Sequence, residues 1–409
     1  MKSELDALMA KRNLDAFVVT GGEGENIPRY YLTNGAHITS GTVLKARGKA
    51  PLLVVNPMEV EEARKSGLRV VTQTELGFFK LLQETGDRAQ AALRFWGLML
   101  RAAGIASGRV GVYGRGEINQ YLHQINALDA MLPEFEFIGE GGLTLFDEAM
   151  QTKDADEIRR IQSVAERTNA VLQATWDYLQ SHAVRDDTLI TPQGDPLTVK
   201  TVKRFIRRAL LDRDLEAPEF IFAPGAEGAY PHNVGGPDTP LRLGESIVFD
   251  LFPRELGGGY HHDVTRTWCL GHAPAHIQQA YDVVMEAFDK SIEAFGVGKP
   301  TNQLDALVNE HFEAAGYNTR RVDSDANKGY VHSLGHGLGL HVHERPSIVY
   351  MSTNDTFQVG NVITIEPGLY DPDAGYGLRV EDTCYVDSDG QLVSLTPFKK
   401  DLVIPLPAK

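Results

Sequence analysis

Cysteine is almost missing from this chain. Only Cys269 and Cys384 occur in 409 residues, so no disulfide framework holds the fold and a hydrophobic core must do so. Positive charge is also in short supply. Lys and Arg total 40 against 55 Asp and Glu, and the net charge of -15 opposes nonspecific nucleic-acid binding. No apolar run is long enough to span a bilayer, and Met1-Lys-Ser-Glu-Leu-Asp lacks the apolar core of a signal peptide. The expectation is a cytoplasmic protein with neither membrane nor nucleic acid as partner. Low-complexity segments are absent as well, and the length suggests two domains, each able to build its own core.

What is present is acid in strand-like surroundings. Asp250 lies in Ser246-Ile-Val-Phe-Asp-Leu, and Asp263 opens Asp263-Val-Thr-Arg-Thr-Trp-Cys269, with Gly257-Gly258-Gly259 as a turn signal between them. A hairpin folded about Leu256-Gly257 sets Asp250 directly opposite Asp263. Facing Cβ atoms are then roughly 4.5–5.5 Å apart, where like charges repel, and a cation between them removes the conflict. Pro253 cannot donate to a ladder and implies a bulge or an edge. A second hairpin repeats the logic. Folding Val362-Ile-Thr-Ile-Glu366 onto Arg379-Val-Glu381-Asp-Thr about Asp373-Ala374 sets Glu366 opposite Glu381. Period-two alternation puts Arg379, Glu381, Thr383 and Tyr385 on one face, with Arg379 beside Glu381 and able to orient it.

Histidines cluster in Val331-His-Ser-Leu-Gly-His-Gly-Leu-Gly-Leu-His-Val-His-Glu344. The glycines disfavour a helical zinc motif and suit a tight loop that approaches a ligand closely. His336 is the candidate ligand, and His343 and His332 are candidates for binding substrate or moving protons. His341 reads as a surface residue. His232, in Tyr230-Pro-His-Asn-Val-Gly-Gly236, sits in another turn-rich stretch, while His261 and His262 flank Asp263. Asp250, Asp263, Glu366, Glu381 and His336 together form an oxygen- and nitrogen-rich set without thiolate, suited to hard or borderline divalent cations.

At these residues the chain resembles the pita-bread metallopeptidases, among them prolidase, aminopeptidase P and methionine aminopeptidase, with creatinase as a relative without metal. The resemblance rests on Asp250, Asp263-Val-Thr-Arg-Thr, His332-x-x-x-His336-Gly-x-Gly-x-x-x-His343-Glu, Ile365-Glu-Pro-Gly and Arg379-Val-Glu381-Asp. It implies two divalent metal ions bridged by Asp263 and Glu381, with Asp250 completing one shell and His336 and Glu366 the other. Mn²⁺ is the first expectation, with Co²⁺, Zn²⁺ and Fe²⁺ as alternatives. It further implies an exopeptidase that removes the first residue of short peptides at Xaa-Pro bonds, with Glu366 moving the proton and His232 and His343 stabilising the oxyanion. The alternatives are an Xaa-Pro aminopeptidase acting on longer peptides and a metal-dependent lyase on the same fold. One departure is residues 184–215, which lack the family's short Gly-x-Thr-Glu helix start.

Strand-like runs (Ala16-Phe-Val-Val-Thr, Pro51-Leu-Leu-Val-Val, Arg109-Val-Gly-Val-Tyr) alternate with helical ones before about Leu145. Residues 1–148 therefore read as an α/β domain, and Tyr30-Tyr-Leu-Thr-Asn is similar to a motif of creatinase-type amino-terminal domains. Residues 149–409 read as the α+β pita-bread catalytic domain, opened by a long amphipathic helix from Asp154 to about His182. The resemblance implies a homodimer in which the amino-terminal domain of one subunit closes over the cleft of the other. In residues 21–40, Arg29 with Tyr30 and His37 is then the candidate for binding a dipeptide's carboxylate.

Overall fold

The computed structural model describes residues 4–22 and 24–407, in two compact units, Met1–Ala149 and Met150–Lys409. The first unit is an α/β sandwich around β1 (Ala16–Gly21), β2 (Gly41–Ala46), β3 (Leu52–Val55), β4 (Arg69–Thr72), β5 (Gly108–Arg115) and β6 (Phe135–Ile138). The sheet runs in the order β4-β3-β2-β1-β5-β6, parallel at β3/β4, β1/β5 and β5/β6 and antiparallel at β1/β2 and β2/β3. Asp87 caps helix Arg88–Ala102 by accepting from the Ala89 and Gln90 N–H groups. That helix buries Phe95, Trp96, Met99 and Leu100 in one core with Val18, Leu44, Val54 and Val110.

The Gly21-Gly-Glu-Gly-Glu-Asn-Ile-Pro28 run reads as a loop; its residues 22 and 24–26 are non-helical, a helix begins at Ile27, and Glu23 lies outside the described residues. Asn26 caps a short helix, Ile27–Leu32, by accepting from the Arg29 N–H, with Pro28 in the first turn, where its missing N–H costs nothing. This turns Arg29 inward. Its side chain is buried, and its guanidinium donates to the carbonyl oxygens of Gly21, Gly41, Ile38 and Thr39 at 3.2–3.4 Å. Arg29 is therefore a clamp on loop backbone and not a cation for substrate, because a guanidinium in use by four carbonyls is not available to a carboxylate.

In the second unit a capping box starts helix Ala155–Gln180: Asp154 accepts from the Asp156 and Glu157 N–H groups while Glu157 accepts from the Asp154 N–H. Its apolar stripe, with Val164, Val171, Leu172, Trp176 and Leu179, joins the core formed by Phe222, Ile247, Phe249 and Trp268. A short hairpin, β7 (Ala183–Arg185) and β8 (Thr188–Ile190), and helix Val199–Leu211 occupy the 184–215 segment. Then come β9 (Leu215–Glu216), β10 (Ile221–Pro224), β11 (Ser246–Leu251), β12 (Arg254–Glu255) and β13 (Val264–Leu270). Helices Ala275–Ala294 and Thr301–Ala314 follow. The remaining strands are β14 (Gly335–Gly337), β15 (Glu344–Ile348), β16 (Val362–Ile365), β17 (Gly368–Asp371), β18 (Tyr376–Arg379), β19 (Asp382–Val386), β20 (Leu392–Ser394) and β21 (Val403–Ile404).

Two sheets carry the acids, one ordered β10-β11-β13-β21 and the other β15-β14-β16-β19-β20. The first hairpin differs in register from the expectation. Asp250 pairs with Thr265, two residues beyond Asp263, which itself precedes the strand. Pro253 cannot continue the ladder, and Arg254 and Glu255 leave it to pair with Glu216 and Leu215 of β9, so the connection is wider than a tight turn. Asp250 and Asp263 still share a face, because Asp263 and Thr265 are two residues apart. In the second hairpin, both β16/β19 and β17/β18 keep the register set by a fold about Asp373-Ala374, with Ile365 opposite Asp382 and Gly368 opposite Arg379.

Candidate metal centre

Glu366 and Glu381 fall at the junction of those two ladders, where neither strand pairs with the other. The Glu381 N–H donates instead to Thr265 O at 3.0 Å, and the Glu366 N–H to Leu334 O at 2.8 Å. The first contact ties the second acidic hairpin to β13; the second ties it to the histidine loop. Asp263, His336 and Glu381 converge so closely that one ligand atom from each lies within 4.8 Å of the others. His336 Nε2 is 3.4 Å from Glu366 Oε1 and 3.8 Å from Asp263 Oδ2. Its Nδ1 is 3.0 Å from Gly337 O, which makes Nδ1 the protonated nitrogen and turns the Nε2 lone pair towards the acids.

Asp250 joins the group through Arg379. The guanidinium is buried, with Nη2 2.5 Å from Asp250 Oδ2, Nη1 2.5 Å from the Tyr370 hydroxyl and Nε 3.1 Å from Thr265 Oγ1. Thr265 in turn donates to Glu381 Oε2 at 2.7 Å. Arg379 thus orients Asp250 directly and reaches Glu381 only through a threonine. The expected orientation of Glu381 by Arg379 is thus indirect, and a substrate-binding role, which the family resemblance also suggested for Arg379, is not favoured because its donors already have partners inside the protein. Thr265, Tyr370 and Thr364, which supports the His336 N–H at 3.2 Å, are further members of the site. Alternation from Glu366 through Gly368 to Tyr370 is the signal that marks the tyrosine.

The electrostatics are those of a site short of positive charge. Burial pushes Glu366 up to about 8, with Asp250 adding to the shift and Arg379 opposing it. Burial also holds Asp263 well above the usual carboxylate range, reinforced by Asp250 and Glu366, and raises Glu381, reinforced by Asp263 and Glu366. Burial lowers His336 to about 3, so it stays neutral. Asp263 Oδ1 is buried without any hydrogen-bond partner. An orphaned anionic oxygen, a neutral imidazole aimed at carboxylates and an absence of thiolate together fit a divalent cation.

The other histidines divide. The His343 ring packs edge-on to His336 with centroids 4.4 Å apart, at the exposed rim, where crowding by protein atoms lowers its pKa and Asp250 partly offsets this. His332 is 3.9 Å from Glu366 Oε2; burial lowers it to about 3, and its Nε2 is unpartnered. That nitrogen lies over Gly368, where a Cβ would come within 2.9 Å of it. His232 is exposed on its loop, and His341 is exposed on its own. His262 turns away to meet Thr396 Oγ1 at 3.0 Å, and His261 meets Phe252 O at 3.3 Å.

The model of metallopeptidase family M24 matches residues 159–388, more than half of the chain and all of the acids above. This chain belongs to family M24. It is 36% identical over 177 residues to an Xaa-Pro dipeptidase of Pyrococcus furiosus, covering 43% of this chain and 47% of that protein. It is 32% identical over 252 residues to the probable dipeptidase PepE of Mycobacterium tuberculosis, covering 61% and 62%. The chain thus spans about half the length of the first of these curated relatives. Its fold matches the solved Xaa-Pro dipeptidase from Bacillus anthracis with a TM-score of 0.76 over 98% of both chains, at 22% identity. The M24 chain accordingly pairs an amino-terminal α/β domain with a pita-bread domain, and its acid-lined centre fits divalent ions. Among the described residues, no helix is long and apolar enough to cross a membrane.

Proposed function

We propose that this M24 chain is a dinuclear metal-dependent exopeptidase that removes the amino-terminal residue of short peptides, with Xaa-Pro dipeptides as substrate. One observation carries the dinuclear reading. Asp250, Asp263, Glu366 and Glu381 share the guanidinium of Arg379, while the neighbouring buried Arg266 is paired with Asp382, so full ionisation leaves three negative charges unmatched. One divalent ion leaves the centre anionic, and two neutralise it with room for a hydroxide or a substrate carboxylate. Asp250, Asp263, His336, Glu366 and Glu381 would hold the ions in this reading. Manganese suits a set so rich in oxygen.

When bound, such a metal pair supplies Lewis acidity that makes water a nucleophile near neutral pH and polarises a peptide carbonyl. The protein supplies the rest. Glu366 takes a proton from the attacking water and delivers it to the nitrogen of the breaking amide, a role of the kind worth roughly 10²–10⁴ in rate. His343 and His232 donate to the carbonyl oxygen as negative charge develops on it. His332, neutral and buried beside Glu366, lines the substrate side. The names of the relatives, Xaa-Pro dipeptidase and probable dipeptidase, support the choice of substrate, and the resemblance to prolidases supports a cytoplasmic homodimer.

The deciding experiment is digestion of a matched panel of Xaa-Pro dipeptides, Xaa-Ala dipeptides and Xaa-Pro-Xaa tripeptides by Mn²⁺-, Co²⁺- and Zn²⁺-loaded protein. The expected order is Xaa-Pro dipeptide first. Faster cleavage of tripeptides moves the reading to an aminopeptidase P, and no peptide cleavage with any of the metals overturns it.

A further inference from the structure

A buried ion pair that the chemistry above leaves unused sits behind the histidine loop. Lys153 Nζ is 2.7 Å from Glu344 Oε2, with the two side chains 2% and 5% exposed. Lys153 directly precedes the N-cap of helix Ala155–Gln180, and its backbone N–H donates to Gly360 O at 2.8 Å, so its base is fixed. Glu344 directly follows His343, and its second oxygen, Oε1, accepts the His341 N–H at 3.0 Å. The same turn is closed by Gly339 N–H to His341 O at 3.1 Å and held to the segment before β13 by His261 N–H to Gly339 O at 2.8 Å. A Cβ on Gly339 would lie 2.6 Å from Glu344 Oε2 and 2.8 Å from Lys153 Cε, so the ion pair is packed straight onto the backbone of this turn.

We propose that Lys153 is a positioning residue for His343: it neutralises Glu344 in the interior, Glu344 folds the turn from Gly339 to His343, and the turn sets the His343 imidazole against His336. The inference rests on the carbonyl-side role given to His343 above. Its physical basis is that Leu338 and Leu340 are buried and anchor the start of the turn, whereas His341 and His343 are exposed, so the Glu344 carboxylate is the side chain that holds its far end. A carboxylate left in the interior without its cation must take up a proton or move towards water. Either change weakens its hold on the His341 N–H and lets the imidazole drift. Displacement of about 1 Å in a catalytic group is enough to cost roughly a hundredfold in rate.

The test uses the full metal-loaded chain with Lys153→Met, and Glu344→Gln as the isosteric second variant should the first fail to fold. Hydrogen–deuterium exchange in residues 338–344 should accelerate about tenfold, while the remainder of the five-stranded sheet stays within about twofold of wild type. Metal content should be retained, and kcat should fall about tenfold or more with KM little changed. The decisive comparison is Lys153→Met combined with His343→Ala, which should be no slower than His343→Ala alone, because the two losses act through one group. Unchanged exchange at 338–344 in both variants, or losses in kcat that multiply, overturns the proposal. Faster exchange together with wild-type kcat in His343→Ala upholds the clamp and removes His343 from the chemistry.

Discussion

Stripped of metal, this protein should become less stable as pH rises, the reverse of what salt-bridged carboxylates produce. Glu366 shows why. Its ordinary value is 4.5, and burial with Asp250 nearby raises it to about 8, so between these limits the folded state holds a proton that the unfolded state has released. Stability falls with pH wherever the folded state binds more protons. The full difference corresponds to a cost on the order of 5 kcal/mol at 1.36 kcal/mol per tenfold, present above pH 8 and absent below pH 4.5. Asp263 and Glu381 shift in the same direction and add to it. For a unit of this size such a loss lowers Tm by on the order of 10 °C. The assay is thermal unfolding at pH 5, 6.5 and 8, with chelator and with saturating Mn²⁺. The chelated protein should lose Tm steadily across this range, the Mn²⁺ form should lose far less, and Glu366→Gln should flatten the chelated curve. A chelated protein as stable at pH 8 as at pH 5 would refute the reasoning, because Asp263, Glu366 and Glu381 would then not be held protonated by their burial.

Three further outcomes follow from the same geometry. Asp263→Ala should bind neither ion by elemental analysis after titration and, when chelated, should be more stable at pH 8 than the wild type; tight retention of metal removes its bridging role. Glu366→Gln should fold normally by circular dichroism yet lose about a hundredfold or more in kcat, since an amide keeps the shape but accepts no proton. Arg29→Ala should cost about 1–3 kcal/mol in urea unfolding of the chain, because four partly buried carbonyls lose their charged donor, while the ratio of dipeptide to tripeptide cleavage stays as in the wild type; a changed ratio returns Arg29 to the substrate.

The acids could be marked as candidates because each lies in or directly beside a short strand, and the second pair flanks a turn whose chemistry is local. Asp-Pro-Asp-Ala-Gly closes tightly, with the Gly375 N–H donating to Asp371 O at 2.8 Å, and the register on both sides follows from it. The first hairpin could not be counted in this way. Its register depends on Arg254 and Glu255 pairing with a strand about forty residues upstream in the chain, and such a partner leaves no mark in the hairpin's own sequence. Arg29 reads differently for a related reason: the glycine-rich run before it is open, but Asn26 and Pro28 start a helix directly after the run, and that helix aims the guanidinium at four carbonyls.

The supports of the centre share one property that the ligands lack. Arg379 reaches Asp250 across 129 positions, Thr265 reaches Glu381 across 116, and Lys153 reaches Glu344 across 191. Arg266 is the extreme case: fully buried, it donates to Thr265 O, Glu381 O, Phe398 O and Lys399 O and pairs with Asp382. Each of these groups is buried, and a buried donor or carboxylate left unmatched costs more than most contacts contribute. Their partners are therefore dictated by closure of the whole domain rather than by spacing along the chain. This divides the labour between sequence and fold. Short motifs bring the ligand atoms to one face, and long-range polar pairs decide how rigidly each ligand is held there, which is why the reacting residues are easier to read from sequence than the residues that aim them.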